Sequence, residues 1–180
     1  MHRRATRYRP LAINLFLVGI AAFLIHESFH WLAGTLLGYP MQMSLNRAWS
    51  STPFALAHSI VISGAGPLVT YVQAAIGYLL VRSRASLVGF AMVYIAFFMR
   101  LVAMAVSVFN LNDEARISRD LGIGTWTLPA IVVGALLMLT VWASRRLKLT
   151  WREQVVCYIV ASIVVSLFVG ADMMFFPIEA

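Results

Sequence analysis

Residues 11–37 read LAINLFLVGIAAFLIHESFHWLAGTLL, an apolar run that carries two histidines and a glutamate in its interior. A transmembrane helix needs about 20 mainly apolar residues to cross the hydrocarbon layer, and this run is longer than that. A charged side chain at mid-span costs at least about 2.5 kcal/mol on insertion scales and marks a functional position by default. The stretch therefore sets two expectations together, a membrane fold and a site buried within it.

The rest of the chain extends the first expectation. Of its 180 residues 61% are hydrophobic and 12% charged, against about 25% charged in an average soluble domain. A water-soluble fold of this size has no core large enough to hide so much apolar surface. Four further stretches, at 55–81, 86–109, 127–144 and 154–171, have the composition and length of spans. The expected fold is all-α, a polytopic bundle of five transmembrane helices forming one integral membrane domain over residues 1–180, with no soluble module.

Charge orients the bundle. Arg3, Arg4, Arg7 and Arg9 before the first span give it the outline of a secretory signal, but its apolar part is too long, contains charge and lacks a small-x-small cleavage site. It is read as a span. The net charge of +7 does not point to nucleic acid, because the basic residues gather at span ends rather than on one face. Those four arginines share one side with Arg82, Arg84, Arg145, Arg146, Lys148 and Arg152, whereas the opposite loops hold only Arg47, Arg116 and Arg119. The positive-inside rule then puts the N-terminus in the cytoplasm. Cys157 is the single cysteine, so no intrachain disulfide forms.

Two connections carry more than a turn. Residues 39–53, YPMQMSLNRAWSSTP, are too polar for a span and alternate between Pro40 and Pro53, which suits a short β-hairpin or re-entrant loop. Residues 109–126, FNLNDEARISRDLGIGTW, begin as a polar turn and lead into a short helix that Gly122 and Gly124 end.

The second expectation rests on IHESFHWLAG, residues 25–34. Helix positions four apart share a face, so His26 and His30 can offer two imidazoles to one metal with Glu27 beside them. Imidazole and carboxylate ligands around one open position suit hydrolytic zinc, for which Glu27 is the general base that accepts a proton from water. A third protein ligand is needed, and the residues available are Asp113, Glu114, Asp120, Asp172 and His58. In a competing reading the histidines hydrogen-bond to neighbouring helices and Glu27 pairs with Arg100. That reading accounts for each residue and leaves the spacing unexplained. Arg100 precedes Asp113 by 13 residues, ~20 Å along a continuous helix, so a structural role is expected for it before one at an oxyanion. Gly64, Ala65 and Gly66 permit close approach of a neighbouring backbone, and Pro67 frees a carbonyl that needs a partner.

Three stretches resemble the site-2 proteases, in that family's order, over residues 11–121. IHESFHWLAGTLLG is similar to the family's His-Glu-x-x-His helix, ISGAGPLVTYVQA (62–74) to its second core helix with Gly-Pro, and NDEARIS (112–118) to its Leu-Asp-Gly-Gly-Arg stretch. Asn112, Glu114, Ala115 and Thr70 depart from the family's usual residues. The resemblance implies an intramembrane zinc metalloprotease in a bacterial cytoplasmic membrane, with helices over 127–176 as accessories. It implies His26, His30 and Asp113 as zinc ligands, Glu114 as the rival third ligand and Glu27 as the catalytic residue. The implied partner is the transmembrane segment of a membrane-protein substrate, which must unwind before cleavage. Gly66, Pro67 and Thr70 are then expected to hold it, and the 39–53 loop to offer it a strand edge. The alternatives are a catalytically altered, metal-binding regulator of the same fold and a small ion or metal transporter. Familiar bacterial members place the histidine motif toward the cytoplasm, opposite to the orientation that the arginines give here.

Overall fold

A backbone in lipid has no water to satisfy its polar groups, so an apolar chain crosses as helices bonded internally. In the computed structural model, which describes residues 7–176, the apolar stretches form α1 (Tyr8–Leu36), α2 (Leu56–Arg84), α3 (Leu87–Val106), α5 (Thr127–Leu147) and α6 (Trp151–Phe175), with a short α4 (Asp113–Asp120) between α3 and α5. The five long helices are each apolar enough to cross a membrane, and the chain is an integral membrane protein. Arg3 and Arg4 lie outside the described residues. The expected hairpin is present as β1 (Met41–Met43) and β2 (Ala48–Ser50), antiparallel, with Met41 opposite Ser50.

The connections between spans are tight and locally specified. Ser86 caps α3 by accepting from the Gly89 amide at 3.2 Å, and Thr150 with Glu153 forms a reciprocal capping box at the start of α6. Ala85 and Lys148 sit at positive φ, 50° and 53°, just after α2 and α5. These left-handed positions cost about 1–2 kcal/mol without glycine, and they turn each helix straight into its neighbour, so adjacent spans run antiparallel.

The bundle is centred on α3, whose most apolar stretch is 56% buried against 17% for α6. Phe90, Tyr94 and Phe98 of α3 pack with Leu11, Leu15 and Phe23 of α1 and with Cys157, Ala161 and Val164 of α6. Helices α2 and α3 meet through Gly77 and Gly89. A Cβ on Gly77 would lie 2.6 Å from the Gly89 carbonyl oxygen, so only the absence of side chains permits this approach.

Ion pairs tie the two ends of the bundle. At one, Arg7 Nη2 donates to the Leu147 carbonyl at 3.2 Å and Arg7 Nε lies 3.7 Å from Glu153. At the other, Arg47 Nε between the hairpin strands donates to Asp172 Oδ2 of α6 at 2.9 Å, the Asn46 amide donates to Oδ1 at 3.2 Å, and Arg47 Nη2 donates to the Phe176 carbonyl.

Between α3 and α4 the chain doubles back. Helix α3 stops at Val106, Ser107 Oγ donates to the Ala103 carbonyl at 2.7 Å, and Asn112 donates from its backbone to Ser107 Oγ at 3.1 Å and from its side chain to Ala103 at 3.0 Å. This clasp returns α4 alongside α3 and against α2 and α5. The ~20 Å expected between Arg100 and Asp113 assumed an uninterrupted helix. The two side chains instead meet at 3.3 Å.

Candidate metal centre

Helix periodicity sets His26 directly one turn before His30, and their rings pack edge to face with centroids 4.7 Å apart. Each ring is held at its outer nitrogen. His30 Nδ1 lies 2.6 Å from the Ile62 carbonyl of α2, which can only accept. Its proton is therefore on Nδ1, and Nε2 keeps a lone pair. His26 Nδ1 lies 3.1 Å from Thr70 Oγ1, whose one hydrogen is already donated to the Gly66 carbonyl at 3.1 Å. The same logic leaves a lone pair on His26 Nε2.

The doubled-back turn brings the third group. Asp113 Oδ2 lies 3.2 Å from His26 Nε2 and 3.4 Å from His30 Nε2, and the two Nε2 atoms are 3.1 Å apart. The three atoms thus converge on one point, where a cation can bind. Among the described residues, His26, His30 and Asp113 form a buried group that can hold a metal ion. Their separations of 3.1, 3.2 and 3.4 Å lie at or slightly below the edges of a tetrahedron with zinc–ligand bonds of about 2.0–2.2 Å, roughly 3.3–3.6 Å.

Of the other candidates for third ligand, Glu114 turns away. It accepts from Arg100 Nη1 at 3.2 Å with each oxygen and from the Tyr71 hydroxyl at 2.9 Å. Asp120 pairs with its neighbour Arg119, Asp172 with Arg47, and His58 Nδ1 sits 2.9 Å from the Tyr39 hydroxyl. The pairing of Glu27 with Arg100 does not form, since Arg100 bonds Asp113 and Glu114.

Compared with family models, with curated proteins and with solved structures, the chain matches none. The site's own geometry therefore carries the argument.

Glu27 lines a cavity of about 940 Å³ and makes no hydrogen bond through its carboxylate among the described residues. The cavity lies among α1, the hairpin, α2, α3, α4 and α6, lined by apolar Phe23, Trp49, Val102 and Val165 and by polar Gln42, Asn46 and Asn112. Gly66, Pro67 and Thr70, expected to touch substrate, are absent from that wall. Gly66 and Thr70 lie behind the imidazoles instead. A Cβ on Gly66 would stand 2.6 Å from His26 Cε1 and closer still to His30 Nε2, so Gly66 makes room for the two rings and Thr70 fixes the tautomer of one.

Sequence reasoning missed Ile62, Tyr71 and the reach of Arg100 to the centre. Arg100 had a signal, a cation deep in an apolar span. Tyr71 and the Ile62 carbonyl had none, since nothing in one sequence tells which α2 residues face α1.

Proposed function

We propose that this chain is an intramembrane zinc metalloprotease that hydrolyses a peptide bond in or near the transmembrane segment of a membrane-protein substrate. The convergence of His26 Nε2, His30 Nε2 and Asp113 Oδ2 beside an uncommitted Glu27 on a cavity wall carries this reading. Three protein ligands with an open fourth position are the pattern of catalytic zinc.

Zinc held by His26, His30 and Asp113 would supply Lewis acidity, lowering the pKa of water and polarising a carbonyl. Glu27 takes the proton of the attacking water and returns it to the departing amine. Thr70 and the Ile62 carbonyl keep both imidazoles in the ligating tautomer, as partners beyond the ligand shell generally do. The hairpin walls the cavity with Gln42, Ala48 and Trp49 and offers strand backbone to an unwound substrate, whose own amides need partners once its helix opens. The resemblance to the site-2 proteases in three ordered stretches adds weight.

Metal analysis of the purified protein together with a cleavage assay on membrane substrates tests the proposal. One zinc per chain with cleavage that a chelator abolishes is the expected result. A chain without zinc defeats it, and zinc without cleavage makes the protein a regulator of the same fold.

A further inference from the structure

We propose that Arg100 stabilises the negative charge that develops on the scissile carbonyl oxygen, acting as a second electrophile beside the metal. The inference rests on the metalloprotease reading and assigns a role that neither the motif nor the ligand set contains.

Arg100 lines the same cavity as Glu27 and the two histidines, although only 4% of its side chain is exposed. Its Nη1 is fully committed, to Asp113 Oδ2 at 3.3 Å and to both oxygens of Glu114 at 3.2 Å. A strut between α3 and α4 would need no more than that. The other donors are not committed in this way. Nη2 reaches only His26 Nε2, at 3.4 Å, whose lone pair belongs to the metal in this reading. Nε is buried with no partner. Buried donors are almost always satisfied, because an unmet one costs free energy. A buried guanidinium that keeps donors free beside three metal-binding atoms is arranged for an acceptor that arrives during function.

The group is also held in place before any reaction. Glu114 anchors Arg100 and is itself fixed by the Tyr71 hydroxyl at 2.9 Å, so the fork cannot swing away. The carboxylate balances its charge, which limits its repulsion of a cation at the ligands. Fixed donors aimed where charge develops need no reorganisation during the step.

As the water oxygen adds to the carbonyl carbon, the new C–O bond forms and the carbonyl π pair moves onto the carbonyl oxygen. Glu27 takes one water proton. Arg100 donates a hydrogen bond from Nη2 to the oxyanion. The oxyanion pair then re-forms the carbonyl, the C–N pair leaves on nitrogen, and Glu27 returns its proton there, giving an acid and an amine.

The test uses the full-length protein in bicelles, with Arg100→Gln and Arg100→Lys. The probes are zinc itself and two leucine-based peptides of the same length. One is a phosphinate, with a tetrahedral PO2⁻ in place of the amide, and the other a hydroxamate, which chelates the metal without mimicking the tetrahedral state. Arg100→Gln should keep one zinc and its hydroxamate affinity while losing about 10²–10³ in phosphinate affinity, the range for removing one oxyanion donor. Arg100→Lys keeps the charge without the fork and should fall between, and it decides the matter if the Gln variant does not fold. Loss of zinc in both variants, equal losses for both peptides, or an unchanged phosphinate affinity would overturn the role. A wild type without zinc, or one that binds neither peptide, defeats the metalloprotease reading and this inference with it. A zinc-bound wild type that takes the hydroxamate and not the phosphinate defeats the inference alone.

Discussion

Each imidazole of the centre has its outer nitrogen tied, and the tie aims the inner one. This makes the effects of single substitutions separable. Glu27→Gln keeps the side chain's shape but cannot accept the water's proton, so zinc should stay while cleavage falls by about 10²–10⁴. Metal content and turnover measured on one preparation check both halves, and zinc lost with activity would make Glu27 a ligand. Asp113→Ala should strip the metal, whereas Glu114→Ala should weaken it only through Arg100. The reverse order in a chelator competition would reassign the third ligand. Gly66→Ala puts a methyl 2.7 Å from His26 Nε2, so the rings must shift, and the zinc dissociation constant should rise about 10–100-fold, as for other supports of metal ligands, with helical content unchanged. At this scale the spacing of IHESFH made the convergence of His26 and His30 legible, because a four-residue interval has one geometric meaning on a helix. The support from Thr70 and Ile62 was not legible, since it depends on how α2 is rotated against α1.

At the scale of elements, lengths and types were readable from apolar runs, and ends were not. The third apolar stretch was expected to reach Phe109, yet α3 stops at Val106. Ser107 and Asn112 spend their side chains on the Ala103 carbonyl and fold the turn back. That three-residue difference turns a supposedly remote arginine into a neighbour of Asp113. The hairpin was legible because Pro40 and Pro53 bracket an alternating stretch, but its docking was not. Arg47 counted only toward orientation and Asp172 as a possible ligand, whereas they pair at 2.9 Å. Asp172 is buried, so Arg47→Ala leaves it with the Asn46 amide alone. Thermal unfolding should register a loss of about 1–3 kcal/mol, the usual cost of an unmet buried polar group. An unchanged midpoint would mean that water replaces the guanidinium there.

For the whole molecule, charge and geometry make a joint statement about orientation. The basic ends of α2, α5 and α6 share the face that holds Arg7, and the hairpin and α4 share the other. If the basic face is cytoplasmic, a cysteine at position 116 should react with an impermeant thiol reagent from outside and one at position 83 should not, in a Cys157→Ser background. The opposite pattern would invert the bundle and bring it to the orientation of familiar bacterial site-2 proteases. The chain separation within the site adds a constraint on synthesis. His26 and Asp113 are 87 residues apart, which at about 5–20 residues per second is roughly 4–17 s of ribosome time. During that interval the nascent α1 holds His26, Glu27 and His30 in or near the bilayer without Asp113, and for most of it without Arg100. Its aliphatic residues, each giving about −0.3 to −0.6 kcal/mol toward insertion, must outweigh a central charge of about 2.5–3.5 kcal/mol. The apolar bulk of α1 thus serves the site before the site exists, by letting the translocon release a half-built centre that waits in the membrane for its remaining ligand.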